Sequence, residues 1–240
     1  MTKHPEWRST NRLLDQLPDD VCDRLGPHLQ RTELTAGKVL YESSVQQSQI
    51  YFPRSGVVSL LYVMDDGGTG EIAMVGNEGV VGISVRVDSM ATPTRAEVQI
   101  AGEAWMLRSE LVDSEFKRGG AFQLMLLRYT QLMLSQMAQG VICNRHHSVE
   151  KQLCRWLLLA CDRAHADQLR LTQEAISNLL GVRREAVSEA ASRLQDAKVI
   201  SYTRGNIRVL DREGLEARSC GCYQAVRDEQ ARMMKSLREL

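Results

Sequence analysis

Apolar residues along the chain follow two rhythms, and the switch between them divides it into stretches. Residues 11–30 carry Leu13, Leu14 and Leu17 before Pro18, then Val21, Cys22, Leu25 and Leu29 at helical spacing, which predicts one or two short helices. From about 31 to 108 the pattern shortens to strands: Glu33-Leu34, Val39–Tyr41, Ile50–Phe52, Val57–Met64, Glu71–Val75, Ala96–Ile100 and Ala104–Leu107. Turn signals such as Asp65-Asp66-Gly67-Gly68 and Ala101-Gly102-Glu103 separate them, which points to a sandwich or barrel. Residues 109–118 predict a short helix ended by Gly119-Gly120.

A long helix is expected over 121–143. Leu127, Leu134 and Val141 repeat every seven residues with Met137 interleaved, and Phe122, Leu126, Tyr129 and Met133 form a neighbouring stripe. Two apolar stripes suit two partners, one stripe on the barrel and one on a twin helix. Burial of the whole helix between domains is the alternative. Asn144-Arg145-His146-His147 is expected to break the helix and act as a hinge, and Ser148 to cap the next one, which carries Leu153, Trp156, Leu157 and Ala160.

The most informative stretch is 171–210. Thr172 caps a helix with Ile176, Leu179 and Leu180 on one face, and Gly181 ends it. A second helix places Val187, Ala191 and Leu194 inward and Arg183, Arg184, Glu185 and Ser188 outward. A hairpin follows, turning at Thr203-Arg204-Gly205-Asn206, with Arg208 on its second strand. Helix, tight turn, helix and hairpin describe a winged helix-turn-helix. Arginines at the start of the second helix and on the wing suit base edges and phosphates. Beyond the wing, Asp211 caps a short helix containing Leu215, and Tyr223, Val226, Gln230, Met233, Leu237 and Leu240 repeat in a final helix packed on the same chain or a partner.

Composition changes this picture little. The chain has 240 residues, 43% hydrophobic and 25% charged, with a formal net charge of zero. The charge is uneven: residues 1–144 hold 13 Lys+Arg and 17 Asp+Glu, and residues 145–240 hold 17 and 13. Residues 171–210 hold six against four, a mildly basic segment that fits a polyanion. No apolar run is long enough to span a membrane and the first residues lack a signal peptide's apolar core, so the expected location is the cytoplasm. Of six cysteines, Cys22, Cys143, Cys154 and Cys161 read as buried thiols. Cys220 and Cys222 form a Cys-x-Cys pair, by itself too sparse for a four-ligand metal site, and no metal site is expected.

This order of parts resembles the CRP/FNR family of bacterial transcription regulators, most clearly over LTQEAISNLLGVRREAVSEAASRLQDAKVISYTRGNIRVLD. The resemblance implies an α+β chain: a cyclic-nucleotide-binding-like β-barrel (jelly roll) with N-terminal helices over 1–118, a dimerisation helix over 119–144, and a winged helix-turn-helix DNA-binding domain over 145–240. It implies a homodimer on a palindromic site, with affinity modulated by the N-terminal domain. The implied partners are double-stranded DNA, a second copy and RNA polymerase. Thr172, Gln173, Arg183, Arg184, Glu185, Ser188, Glu189 and Arg204 are the implied DNA contacts. Arg184-Glu185 stands at the family's Arg-Glu pair, and Glu189 replaces a second arginine.

The family's nucleotide signature is a Gly-rich turn with a glutamate for the ribose and an arginine for the phosphate. Here GNEGVVGISVRVDSMATPTRAEVQI keeps Gly76, Gly79 and Gly82 but has Ile83 at the glutamate's place and Thr94 at the arginine's, with Arg95 one residue late. A one-residue slip on a strand turns a side chain to the other face, which argues against a cyclic nucleotide. Gly79, Gly82, Ile83, Thr94 and Arg95 are the residues such a site would use, and the effector is left open. One N-terminal cysteine, Cys22, argues against an iron–sulfur cluster, and no cofactor is expected. No P-loop, Gly-x-Ser-x-Gly or HExxH motif is present, so an enzyme is not expected. The competing reading is a ligand-binding signalling module whose C-terminal unit binds protein.

Overall fold

A computed structural model of the chain describes residues 6–65, 67–83 and 94–239. Helices α1 (Glu6–Thr10) and α2 (Asp19–Leu25) alternate with short 3-10 turns at Leu14–Gln16 and Gly26–His28. Strands β1 (Gln30–Leu34), β2 (Val39–Tyr41), β3 (Gln49–Pro53), β4 (Val57–Val63), β5 (Thr69–Val75), β6 (Thr94–Ile100) and β7 (Gly102–Arg108) follow. They make two antiparallel sheets, ordered β1-β7-β3 and β2-β6-β4-β5, a jelly-roll arrangement. The pleat sends alternate side chains to opposite faces: on β6, Thr94, Ala96 and Val98 are buried, with Arg95 and Glu97 less so. Leu34, Phe52, Val58, Val75, Val98 and Leu107 fill the core between the sheets, joined by Leu13, Leu14 and Leu17.

Helix α3 (Ser109–Arg118) leads into α4 (Gly120–His146). The expected break at Asn144 does not occur. Asn144-Arg145-His146 contains no Pro or Gly, and Arg145 and His146 complement the negative end of the helix dipole. The helix stops one residue later, where His147 takes an extended conformation before the next cap. Ser148 then caps α5 (Val149–Ala164), accepting from the Lys151 amide at 3.4 Å.

The remaining elements are β8 (Gln168–Arg170), α6 (Gln173–Leu180), α7 (Arg184–Asp196), β9 (Ile200–Thr203), β10 (Asn206–Val209), α8 (Arg212–Arg218) and α9 (Cys222–Leu237). β8 was not expected: it pairs with β10 and makes the hairpin a three-stranded sheet, ordered β8-β10-β9. Asp211 caps α8, accepting from the Gly214 amide at 2.9 Å. The tail settles on its own chain. Met233, Met234 and Leu237 of α9 join the barrel core, and Arg128 of α4 donates to the Ser236 carbonyl at 2.5 Å. Leu240 lies outside the described residues. No helix among the described residues is long and apolar enough to cross a membrane.

α4 sorts its two stripes as its pattern predicts. Phe122, Leu126, Tyr129 and Met133 are buried against the barrel. Leu127, Leu134 and Val141 are 44%, 56% and 66% exposed. Met137 leaves the second stripe and packs on the first one's core.

A second apolar cluster joins the barrel's outer wall to the C-terminal half. Val57, Leu61 and Met74 pack with Trp156 and Leu157 of α5, Leu179 and Leu180 of α6, and Val187 and Leu194 of α7. Inside this contact Glu71 of β5 accepts from the Trp156 indole at 2.9 Å and from the Ser59 hydroxyl at short range. Both donors favour the carboxylate, as do the nearby Arg155 and Arg163, yet burial outweighs them and lifts the carboxyl from 4.5 to about 7. The unfolded chain releases this proton near 4.5, whereas the folded one holds it to about 7. Folding therefore takes up a proton in that window, and stability falls as pH rises through it. Glu71→Gln keeps an acceptor for Trp156 without a titrating group. We expect it to flatten the fall in urea midpoint between about pH 5 and pH 7. An unchanged pH slope in the variant would show that Glu71 does not cause it.

Candidate nucleic-acid interface

The helix-turn-helix is built from local rules. Thr172 accepts the Ala175 amide at 3.1 Å and starts α6. Gly181 ends it at φ 65°, a left-handed conformation that costs glycine little. Val182 and Arg183 carry the chain into α7, and Arg183 occupies the N-cap position without capping through its side chain. Val187, Ala190, Ala191 and Leu194 are buried, which turns Arg184, Glu185, Ser188 and Glu189 to the outside.

The wing turns through Arg204 and Gly205 at φ 47° and 79°, the two positive values a two-residue hairpin requires. The Leu171 amide donates to the Gly205 carbonyl at 2.8 Å, tying the wing tip to the start of α6. Tyr202 braces the same corner. Its hydroxyl donates to the Leu171 carbonyl at 3.0 Å, and its amide donates to Gln195 Oε1 at 2.7 Å. Burial raises the Tyr202 hydroxyl's pKa, and the Arg184 guanidinium opposes this.

These contacts gather Thr172, Gln173, Arg184 and Arg204 around one open concave surface with Tyr202 and Gln195. Arg183, Glu185, Ser188 and Glu189 are exposed on or next to the adjoining end of α7. Glu189 lies 3.9 Å from Arg193, so its charge is partly offset within the helix. Arg170 of β8 lines the neighbouring concavity with Thr172 and Arg204. Sequence reasoning missed it because it sits on a strand of three residues; its position directly before Leu171-Thr172 was the available signal. Among the described residues, Arg170, Arg183, Arg184 and Arg204 form no ion pair with an Asp or Glu. Four guanidiniums with no internal partner on one side of a small domain make a surface suited to an external anion.

Residues 151–218 match the model of the Crp-like helix-turn-helix domain. The whole chain shares its fold with several solved structures. It is similar to FixK2 from Bradyrhizobium japonicum, at 17% identity, covering 80% of this chain and 98% of that one, with a TM-score of 0.68. It is also similar to the c-di-GMP-responsive global regulator CLP from Xanthomonas campestris, at 17% identity, 80% and 99% coverage and a TM-score of 0.63. A CRP/FNR-family transcriptional regulator from Thermus thermophilus aligns at 17% identity, 79% and 98% coverage and a TM-score of 0.62. At this identity the likeness is one of fold. No curated protein matches the chain.

The Gly-rich turn after β5 and strand β6 hold the candidate ligand residues named from the sequence, and these groups engage their own neighbours. A Cβ at Gly79 would run into the Tyr129 phenol of α4, and one at Gly76 into Arg163 and Glu78. Gly82 has φ 95° and lies against Gln47 and Gln49. Ile83 packs on the barrel core. Thr94 Oγ1 lies 3.4 Å from the Tyr41 hydroxyl, and Arg95 donates to Glu42 at 2.8 Å. Residues 84–93 lie outside the described residues.

Glu78, which the sequence did not single out, accepts from Arg163 Nε of α5 at 2.7 Å and from the Gly76 amide at 3.2 Å. The side chains of Arg163 and Glu78 are 5% and 6% exposed. Removing one partner of a buried pair strands the other charge, at a cost of about 3–5 kcal/mol. We therefore expect Arg163→Met to lose about that much stability in urea denaturation, and Arg163→Met with Glu78→Gln to recover part of it. A loss below about 1 kcal/mol would show that water reaches Glu78.

Proposed function

We propose that the chain is a sequence-specific DNA-binding regulator that acts as a homodimer on a palindromic site. The observation that carries this reading is the unpaired Arg170, Arg183, Arg184 and Arg204 around the exposed start of α7 and the wing. α7 enters the major groove. Arg184 directs two donors to guanine O6 and N7, and Glu185 accepts from cytosine N4. Ser188 and Glu189 face the next base pairs. Arg183, Thr172 and Gln173 approach a phosphate, helped by the free amides at the start of α6. Arg204 and Arg170 meet the backbone beside the groove. A non-glycine residue at φ 47° costs about 1 kcal/mol, which an arginine at the wing tip offsets by reaching phosphate.

The exposed Leu127, Leu134 and Val141 support the second copy. They are 44%, 56% and 66% exposed, so covering each gains roughly half of the 1.5–3 kcal/mol of full burial, and a twin helix in register counts the stripe twice. Closed twofold pairing repeats the recognition helix with the symmetry of a palindrome. The N-terminal domain modulates binding through the Glu71–Trp156 and Glu78–Arg163 contacts, which bear directly on α5. In this reading the partners are double-stranded DNA, a second copy and, at a promoter, RNA polymerase.

The groove contacts divide by role. Arg184→Ala should cost about 1–3 kcal/mol on the preferred site and relax selection at one base pair, with little change on random duplex. Arg204→Ala should weaken both duplexes alike and reduce the slope of log affinity against log salt by about 1. Filter-binding titrations at several salt concentrations distinguish the two, and equal losses on both duplexes for both variants contradict the roles. Leu134→Glu places a charge on the exposed stripe without touching the core. It should give monomers by sedimentation with unchanged circular dichroism, and a variant that remains dimeric contradicts pairing along α4.

A further inference from the structure

The last turn of α4 and the turn into α9 bring four soft ligands together. Cys143 and His147 lie one helical turn apart, and Cys220 and Cys222 flank Gly221. The three sulfurs and a ring nitrogen of His147 all lie within 4.8 Å of one another. Cys143 Sγ is 3.5 Å from Cys220 Sγ, and Cys222 Sγ is 3.5 Å from His147 Nδ1. A tetrahedral zinc ion with bonds of about 2.3 Å to sulfur and about 2.0 Å to nitrogen sets edges of about 3.8 Å and about 3.5 Å. The four groups are therefore close to the corners of one coordination tetrahedron. His146, the other histidine of the pair, is exposed.

We propose that Cys143, His147, Cys220 and Cys222 form a four-ligand site for a single thiolate-preferring divalent ion, with zinc as its occupant. The surroundings support a metal over simple packing. The three cysteines form a small buried cluster of their own, separate from both apolar cores. Gln139 donates an amide hydrogen to Cys222 Sγ at 2.9 Å, the outer-shell contact that orients a ligand sulfur and stabilises its charge. The guanidinium of Arg155 lies near Cys143, and its Nε is buried without a hydrogen-bond partner. Three thiolates and a divalent ion leave one negative charge, which that guanidinium offsets. The donor set also selects the ion. Three sulfurs exclude magnesium and calcium, which take oxygen ligands, and three sulfurs with one imidazole is a structural zinc set. A multi-iron cluster would hold its ligand sulfurs further apart.

Binding transfers three thiol protons to solvent and forms three metal–sulfur bonds and one metal–nitrogen bond. No electron moves. The bonds clamp the end of α4 to the α8–α9 turn, where the chain passes from the long helix into the helix-turn-helix domain. The metal site does not depend on the DNA-binding reading, and its test reads metal alone.

The full chain, purified with thiols protected and stripped of metal, is titrated with cobalt(II). The expected result is one cobalt per chain, with thiolate-to-cobalt charge-transfer bands and the intense visible bands of a tetrahedral ion, all displaced by zinc. Cys220→Ser and Cys222→Ser should each weaken binding beyond the about 10–100-fold typical of losing an outer-shell partner. Gln139→Leu should fall within that range, and Cys22→Ser should change nothing. If the cysteine variants fail to fold, the stoichiometry and spectrum of the unaltered chain decide the matter. No stoichiometric uptake, a weak octahedral spectrum, or a Cys143–Cys220 disulfide in protein trapped with alkylating reagent at lysis would each overturn the site.

Discussion

α4 carries apolar side chains over more of its circumference than one barrel can cover, and most other features follow from that excess. Phe122, Leu126, Tyr129 and Met133 close the barrel's core, so the helix cannot leave without opening it. Leu127, Leu134 and Val141 remain in water on the same rigid rod. At roughly 25 cal/mol per Å² of apolar surface, a stripe of this length is costly to leave exposed. A helix 27 residues long also transmits direction: whatever fixes its outer stripe fixes where its last turn points, and the helix-turn-helix domain begins there.

The second constraint is the contact between the barrel wall and α5. It combines apolar packing with two polar pairs, the partly buried Glu71 with Trp156 and the buried Glu78 with Arg163. Buried polar pairs add little net stability, because desolvation consumes much of what the contact returns. They do penalise small displacements heavily, since an ångström of separation leaves a charge or an indole N–H unpartnered. Such a contact holds one relative placement of the two halves and gives it up abruptly. That property suits a switch between two placements better than a smooth deformation.

Much of this was legible in the sequence, where the signals are local. Thr172, Gly181, Ser148 and Asp211 punctuate helices by their own chemistry, and each stands where its side chain or backbone predicts. The heptad of Leu127, Leu134 and Val141 correctly marked the uncovered stripe. β8 escaped notice because three residues carry no period. The end of α4 was misplaced because polar residues weaken an apolar pattern without breaking a helix. The remaining gaps are long-range. Glu71 meets Trp156, and Glu78 meets Arg163, across 85 residues, and no spacing rule reaches that far. Cys143 and Cys220 are likewise 77 residues apart, so no spacing in the sequence brings Cys143 beside the Cys-x-Cys pair.

The central claim is that two copies of α7, spaced by pairing along α4, read adjacent major grooves. Selection of bound duplexes from a random pool by the full chain tests it most directly. The account predicts an enriched palindrome whose half-sites are centred about 34 Å apart, one turn of the duplex, with a guanine in each half protected by Arg184. Enrichment of a single asymmetric half-site, or no enrichment over the starting pool, would contradict it.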